Sequence, residues 1–177
     1  MDLIDAEYTM LRNVRNLFHS TKLARNALDL EFPLDTNTPS VHILNWGHKM
    51  TIPPACTIMA LIYLRVLRAA DSALTKRDNF AAVTLCVALM VAYKMVLCST
   101  KTLKHFAIIS GIPQEELKAC EILFMQARVW NVFITPAQFA GTCEQLEHGE
   151  QLRMWRMEAG LTQCVQRLRL QKKQRRI

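Results

Sequence analysis

The stretch from Phe80 to Leu103 constrains the fold more than any other part of the chain. It reads FAAVTLCVALMVAYKMVLCSTKTL, and apolar residues occupy nearly every face of the helix that it would form. A helix that is apolar all round must be surrounded by other elements, so the stretch predicts a central helix. Lys94 conflicts with this environment, because burial of an unpaired ammonium costs several kcal/mol or forces the group to neutralise. We therefore expect a partner to supply what Lys94 lacks.

Amphipathic segments on both sides of this stretch predict further helices. Apolar residues three or four positions apart run from Leu11 to Leu30, as one long helix or two short ones. Turn sequences rich in Pro, Asp, Asn and Thr then interrupt the chain. The helices predicted after them are a short one capped by Ser40, one from Pro54 to about Ala70, the apolar one from residue 80 to about 98, a short one closed by Gly111, one from Gln114 to about Arg128, and further segments from Pro136 up to Leu170.

Composition supports an all-α fold. Hydrophobic residues make up 51% of the 177 residues, and five glycines with six prolines leave little room for a turn-rich β fold. The short VWNVFIT segment at residues 129–135 is the one strand-like pattern, and we do not expect a sheet there. The length suits one domain with extensions.

Six cysteines are scattered singly, with no CxxC pair, and most lie within apolar helical patterns. This predicts reduced packing thiols in a reducing compartment, with a metal site or a disulfide framework as the much weaker alternative. The charged N-terminal sequence does not resemble a signal peptide, and the longest uncharged runs are shorter than the ~20 residues that span a bilayer. We expect a cytoplasmic and/or nuclear protein without membrane contact.

The net charge of +7 is concentrated at one end. Residues 165–177 carry six basic side chains and no acid, which leaves the rest of the chain nearly neutral. Nucleic-acid binding is therefore not expected of the folded body. The basic tail is interpreted as a solvated terminus, with nuclear import or nucleic-acid contact as the alternatives.

No catalytic constellation is evident. The nucleotide-binding, metalloprotease and serine-hydrolase motifs are absent, which predicts no enzymatic activity, cofactor, metal or small-molecule substrate. His42 and His48 are spaced so that they would not point the same way. Glu144, Glu147 and Glu150 are interpreted as a solvated helical face rather than a carboxylate site.

Three ordered segments resemble a cyclin box. They are PSVHILNWGHKMTIPPACTIMALIYLRVL, AAVTLCVALMVAYK and AIISGIPQEELKACEILFMQARVWNVFIT, and together they cover about Pro39 to Thr135. The pattern is most similar to the single-box P-type cyclins. The resemblance implies a five-helix cyclin-box domain over residues 37–135, a helical extension over residues 1–36, and a C-terminal helical extension with a basic tail over residues 136–177.

The resemblance also implies a partner-binding site. Lys94 and Glu121 match the lysine and glutamate that face the kinase in cyclin complexes, and we expect the two side chains to lie together at the rim of the domain. The other residues that match apolar kinase contacts of cyclins, or lie beside the pair, are Met95, Ile122, Met125, Trp130 and Val132. For Trp130 and Val132, packing into the protein interior is an equal alternative to kinase contact.

The implied function is that of a regulatory subunit that forms a heterodimer with a cyclin-dependent-type serine/threonine kinase and activates it by positioning its αC helix. A helical adaptor and a nucleic-acid-binding module of cyclin fold are the alternatives. Two departures from the family pattern stand out: Arg65 follows Tyr63-Leu64 where cyclins commonly carry aspartate, and VLCST at residues 96–100 replaces the usual acidic residues after the signature lysine.

Overall fold

The structure is a computed structural model that describes residues 3–32, 39–69, 80–97, 103–127 and 131–151. Its helices in chain order are α1 (Leu3–Glu31), α2 (Pro39–Lys49), α3 (Pro54–Ala69), α4 (Phe80–Leu97), α5 (Leu103–Ser110), α6 (Gln114–Ala127) and α7 (136–151). These described ranges contain no strand, so the predicted all-α class is confirmed. The first amphipathic segment forms one long helix.

Local signals set several helix ends where they were predicted. Gly111 follows α5 with a φ of 73°, a left-handed conformation that glycine adopts without steric cost, and its amide donates to the Ala107 carbonyl at 2.9 Å. At the start of α7, Thr135 and Gln138 form a capping box. The Gln138 side chain accepts from the Thr135 amide at 2.9 Å, and the Thr135 hydroxyl accepts from the Gln138 amide at 3.2 Å.

The predicted cap of α2 is wrong. The helix begins at Pro39, so Ser40 lies in its first turn instead of preceding it. The Ser40 amide donates to Asp29 Oδ1 at 2.8 Å, and its hydroxyl donates to Asp29 Oδ2. A carboxylate from α1 therefore occupies the positive end of α2, where it satisfies a free backbone amide and interacts favourably with the helix dipole.

Helix α4 is the centre of the core, as predicted. Every residue from Val83 to Tyr93 is buried, and the helix packs against α3, α5 and α6. Burial of each large aliphatic side chain in this run contributes on the order of 2 kcal/mol. No described helix is both long and apolar enough to cross a membrane.

The C-terminal half of α1 belongs to the same core. Leu23 and Leu28 are buried, and α1 packs on α2 and α3. At its end, Glu31 accepts two hydrogen bonds from Arg65 of α3, at 2.6 and 3.0 Å. Arg65, which follows Tyr63-Leu64 where cyclins commonly carry aspartate, thus forms an ion pair with a residue of α1.

The buried cysteines are packing thiols in the described ranges. Cys56, Cys86, Cys120 and Cys143 are free, and the first three are buried. Burial raises the pKa of Cys56 and Cys86 to about 12 and that of Cys120 to about 11. Within these ranges no group of His, Cys, Asp or Glu could hold a metal ion. Cys98 and Cys164 lie outside the described residues.

These thiols predict alkaline destabilisation. Their folded pKa values are raised, so each contributes full stability below the unfolded value of 9.0 and loses it as pH rises toward about 11 to 12. Urea unfolding measured from pH 8 upward should show the free energy of unfolding falling by up to ~1.4 kcal/mol per pH unit for each thiol. Cys86→Ala should make the fall less steep. An identical pH dependence in that variant would contradict the assignment.

Candidate partner-binding site

Lys94 lies where α4 leaves the core. The preceding residue, Tyr93, is buried, whereas Met95, Val96 and Leu97 are all exposed. The Lys94 side chain retains 33% of its accessible surface. The apolar stem of the lysine can therefore lie along the core while its ammonium reaches the edge of the domain.

Glu121 of α6 faces this ammonium. The buried side of α6 is formed by Leu117, Cys120 and Phe124, and Glu121 lies at the edge of that side with 24% of its side chain accessible. Lys94 Nζ donates to Glu121 Oε1 at 2.6 Å. The predicted proximity of the two residues is confirmed. The positive charge of Lys94 is balanced within the chain, by Glu121.

The pair keeps hydrogen-bonding capacity. An ammonium has three donors, and one hydrogen bond of Lys94 is present among the described residues. The Glu121 carboxylate accepts this bond through one of its two oxygens. Within the described ranges, the other two donors of Lys94 and the second oxygen of Glu121 make no further hydrogen bond.

Exposed apolar side chains lie beside the charged pair. Met95 is 40% exposed and Ile122 is 45% exposed, each next in sequence to a member of the pair. Leu123, an apolar residue three positions before Gln126 and next to the buried Phe124, is also 45% exposed. The buried side of α6 is therefore narrower than its full set of apolar residues, since it consists of Leu117, Cys120 and Phe124. Sequence reasoning therefore missed Leu123, Val96 and Leu97 as exposed apolar residues.

Met125 and Val132 are less exposed than Met95 and Ile122. Both are partly buried and pack against the core, and the Val132 carbonyl accepts from the Tyr63 hydroxyl at 2.7 Å. For Val132 the packing favours the inward alternative. Its neighbour Phe133 is 63% exposed. Trp130 lies outside the described residues.

Comparison with known proteins establishes the family. The family model described as Cyclin matches residues 8–132, more than two thirds of the chain. The chain therefore belongs to the Cyclin family, whose members are regulatory proteins rather than enzymes. The match begins within α1, well before residue 39, where the segments that resemble a cyclin box begin. A search of curated proteins finds no match.

The energetics of the pair yield a testable prediction. Both side chains are about a quarter to a third exposed, so solvent screens their attraction. A double-mutant cycle with Lys94→Met and Glu121→Gln, measured by urea unfolding, should give a coupling of ~1 kcal/mol or less that falls with added salt. The Arg65–Glu31 pair has the same 2.6 Å separation and similar exposure, so its cycle is the matched control. A coupling near 3 kcal/mol would mark Lys94–Glu121 as a buried structural pair instead.

Proposed function

We propose that this chain is a single-box cyclin of the P-type that binds a cyclin-dependent-type serine/threonine kinase as a heterodimer and activates it. The observation that carries the proposal is the Lys94–Glu121 ion pair, partly exposed at the rim of the domain. These two residues match the kinase-facing signature of the family, and the chain belongs to that family.

The surroundings of the pair suit a protein interface. A charged pair flanked by the exposed Met95 and Ile122 offers apolar area together with directional hydrogen bonds. Protein interfaces concentrate their binding energy in such clusters when the clusters lie at the centre of the contact area, whereas polar groups at the periphery of the contact area contribute little. In the proposed complex, Lys94 and Glu121 bond backbone groups of the kinase while the apolar side chains lose contact with water. The pair reaches the kinase already oriented, which reduces the entropy lost on binding.

The proposed mechanism is conformational. A protein kinase needs the glutamate of its αC helix paired with the lysine of strand β3 before phosphoryl transfer. A cyclin that binds the swung-in position of αC more tightly shifts the population toward it. A shift from about 1% to about 99% active kinase needs a difference in affinity of about 10⁴-fold between the two states. All catalytic groups belong to the kinase in this scheme.

The departure at Arg65 is compatible with the proposal. A guanidinium in place of the usual acid would be costly if it were buried without a partner. Here it forms a two-bond pair with Glu31 and remains about a third exposed. The substitution thus links α1 to α3 without involving Lys94 or Glu121.

The site predicts a specific loss of binding. Lys94→Ala and Glu121→Ala should each weaken co-purification with the kinase by about 30-fold or more, the effect expected of a hot-spot residue of about 2 kcal/mol. Arg65→Ala is the matched control, because it breaks an ion pair of equal length and similar exposure. It should leave kinase binding within about threefold of the wild-type value. Circular dichroism and thermal unfolding would establish that all three variants are folded.

Retained kinase binding by both Lys94→Ala and Glu121→Ala, with their folds intact, would reject this site. An equal loss in Arg65→Ala would show that the effect arises from general destabilisation rather than from an interface.

Activation is tested separately from binding. The phosphorylation rate of the purified kinase should rise by at least about tenfold when saturating cyclin is added, since αC is then held in place. Lys94→Ala should require a higher concentration for the same rate. A complex that forms without any rise in rate would favour the alternative of a helical adaptor.

A further inference from the structure

A groove separate from the Lys94–Glu121 face lies between α1 and α2. Phe18 and Arg25 of α1 line one wall, and Leu44, Gly47 and His48 of α2 line the other. Ile52, in the connection from α2 to α3, also lines the groove. The volume is about 270 Å³, just below the range of ~300–1,000 Å³ usual for pockets that enclose a small molecule. Such a space suits side chains of a peptide better than a whole cofactor.

Two large apolar side chains on different helices line this groove and are exposed to solvent. Phe18 is 61% exposed and Leu44 is 46% exposed. Large apolar groups grouped on a surface mark interaction sites more often than singly scattered ones do. Ile43 and Ile52, which are more buried, extend the same apolar lining toward the core.

Gly47 leaves the groove open. Glycine inside a helix is less stabilising than alanine, so its presence in α2 calls for a reason. A Cβ at position 47 would meet no atom within 4 Å, so close packing does not require a glycine. Its φ is not positive either, so the backbone does not require one. The structural effect of the missing side chain is the space beside Leu44 and His48.

The groove has a basic lining, which favours an acidic ligand. Among the described residues that line the groove, Arg25 and His48 are basic and none is acidic. Arg25 makes no ion pair within the part of the chain that the structure describes. The nearby acids of α1 are engaged, Asp29 by Ser40 and Glu31 by Arg65. Thr21 is not free to bind a ligand as a donor, because its hydroxyl donates to the Leu17 carbonyl at 2.7 Å.

We propose that the groove docks an acidic peptide segment of a partner protein. A bulky apolar side chain of that segment fills the space beside Gly47, against Phe18 and Leu44. An adjacent aspartate or glutamate bonds Arg25, whose guanidinium fits a carboxylate through two parallel hydrogen bonds. The basic sequence at residues 167–176 of this chain is the wrong occupant, because it would bring like charges together.

The groove and the proposed kinase site can be occupied at once. The described residues that line the groove belong to α1, α2, the α2–α3 connection and the start of α3, whereas the ion pair lies on α4 and α6. Docking at the groove therefore does not depend on kinase activation, and it would bring a protein with an acidic segment to any complex that this chain forms.

The test is selection from a phage-displayed library of random peptides against the full chain, followed by fluorescence polarisation with the selected peptides. Selected peptides should combine a bulky apolar residue with an adjacent Asp or Glu. Gly47→Leu should reduce their affinity by about tenfold or more by filling the groove, and Arg25→Glu by a similar factor. Two controls should bind normally: Lys94→Ala, and Ile108→Ser, which changes a 70% exposed apolar residue outside the groove lining.

A charge-swap experiment tests the proposal even if Gly47→Leu does not fold. Arg25→Glu should prefer a peptide in which Lys replaces the acid, whereas the wild-type chain should reject that peptide. The proposal is overturned if selected peptides lack the acidic and apolar pair. It is also overturned if they bind folded Arg25→Glu and wild type equally well.

Discussion

The structure depends on the burial of α4. Because this helix is apolar on every side, it is stable only when other helices cover it, and α3, α5 and α6 do so. The core ends where α4 can no longer be covered, and Lys94 is the first residue after that point. The position of the charged pair is therefore a consequence of how far the apolar run extends, and the partner that Lys94 needs in the folded chain is Glu121 of α6.

Helix placement followed from the sequence because its signals are local. Apolar periodicity located the helices, and Pro54, Gly111 and Pro136 marked their ends within one or two residues of those observed. The Asp29–Ser40 contact could not be anticipated in this way. Its two residues lie on different helices, and their approach depends on how α1 packs on α2. A serine before an apolar run predicts a cap, but it does not predict that another helix already provides one.

The candidate site was predictable in part for a different reason. Lys94 and Glu121 are 27 positions apart, and family resemblance, rather than any spacing rule, placed them together. The resemblance did not predict the depth of each neighbour. Met95 and Ile122 are exposed, whereas Met125 and Val132 pack on the core, because α6 and the segment after it present different sides to α4 and α3. The groove was not predicted, since a glycine within a helix indicates open space only when the neighbouring helix is known.

The packing of α1 bears on where the folding unit begins. Leu23 and Leu28 fill the same interior as α3, and Glu31 neutralises the Arg65 guanidinium. A truncated chain starting at residue 37 would expose apolar surface of α3 to water and leave Arg65 without its counter-ion. The smallest fragment that folds on its own must then include the second half of α1, although the segments that resemble a cyclin box start only at Pro39. The N-terminal helix, which the sequence presents as an extension, is thus a structural part of the bundle.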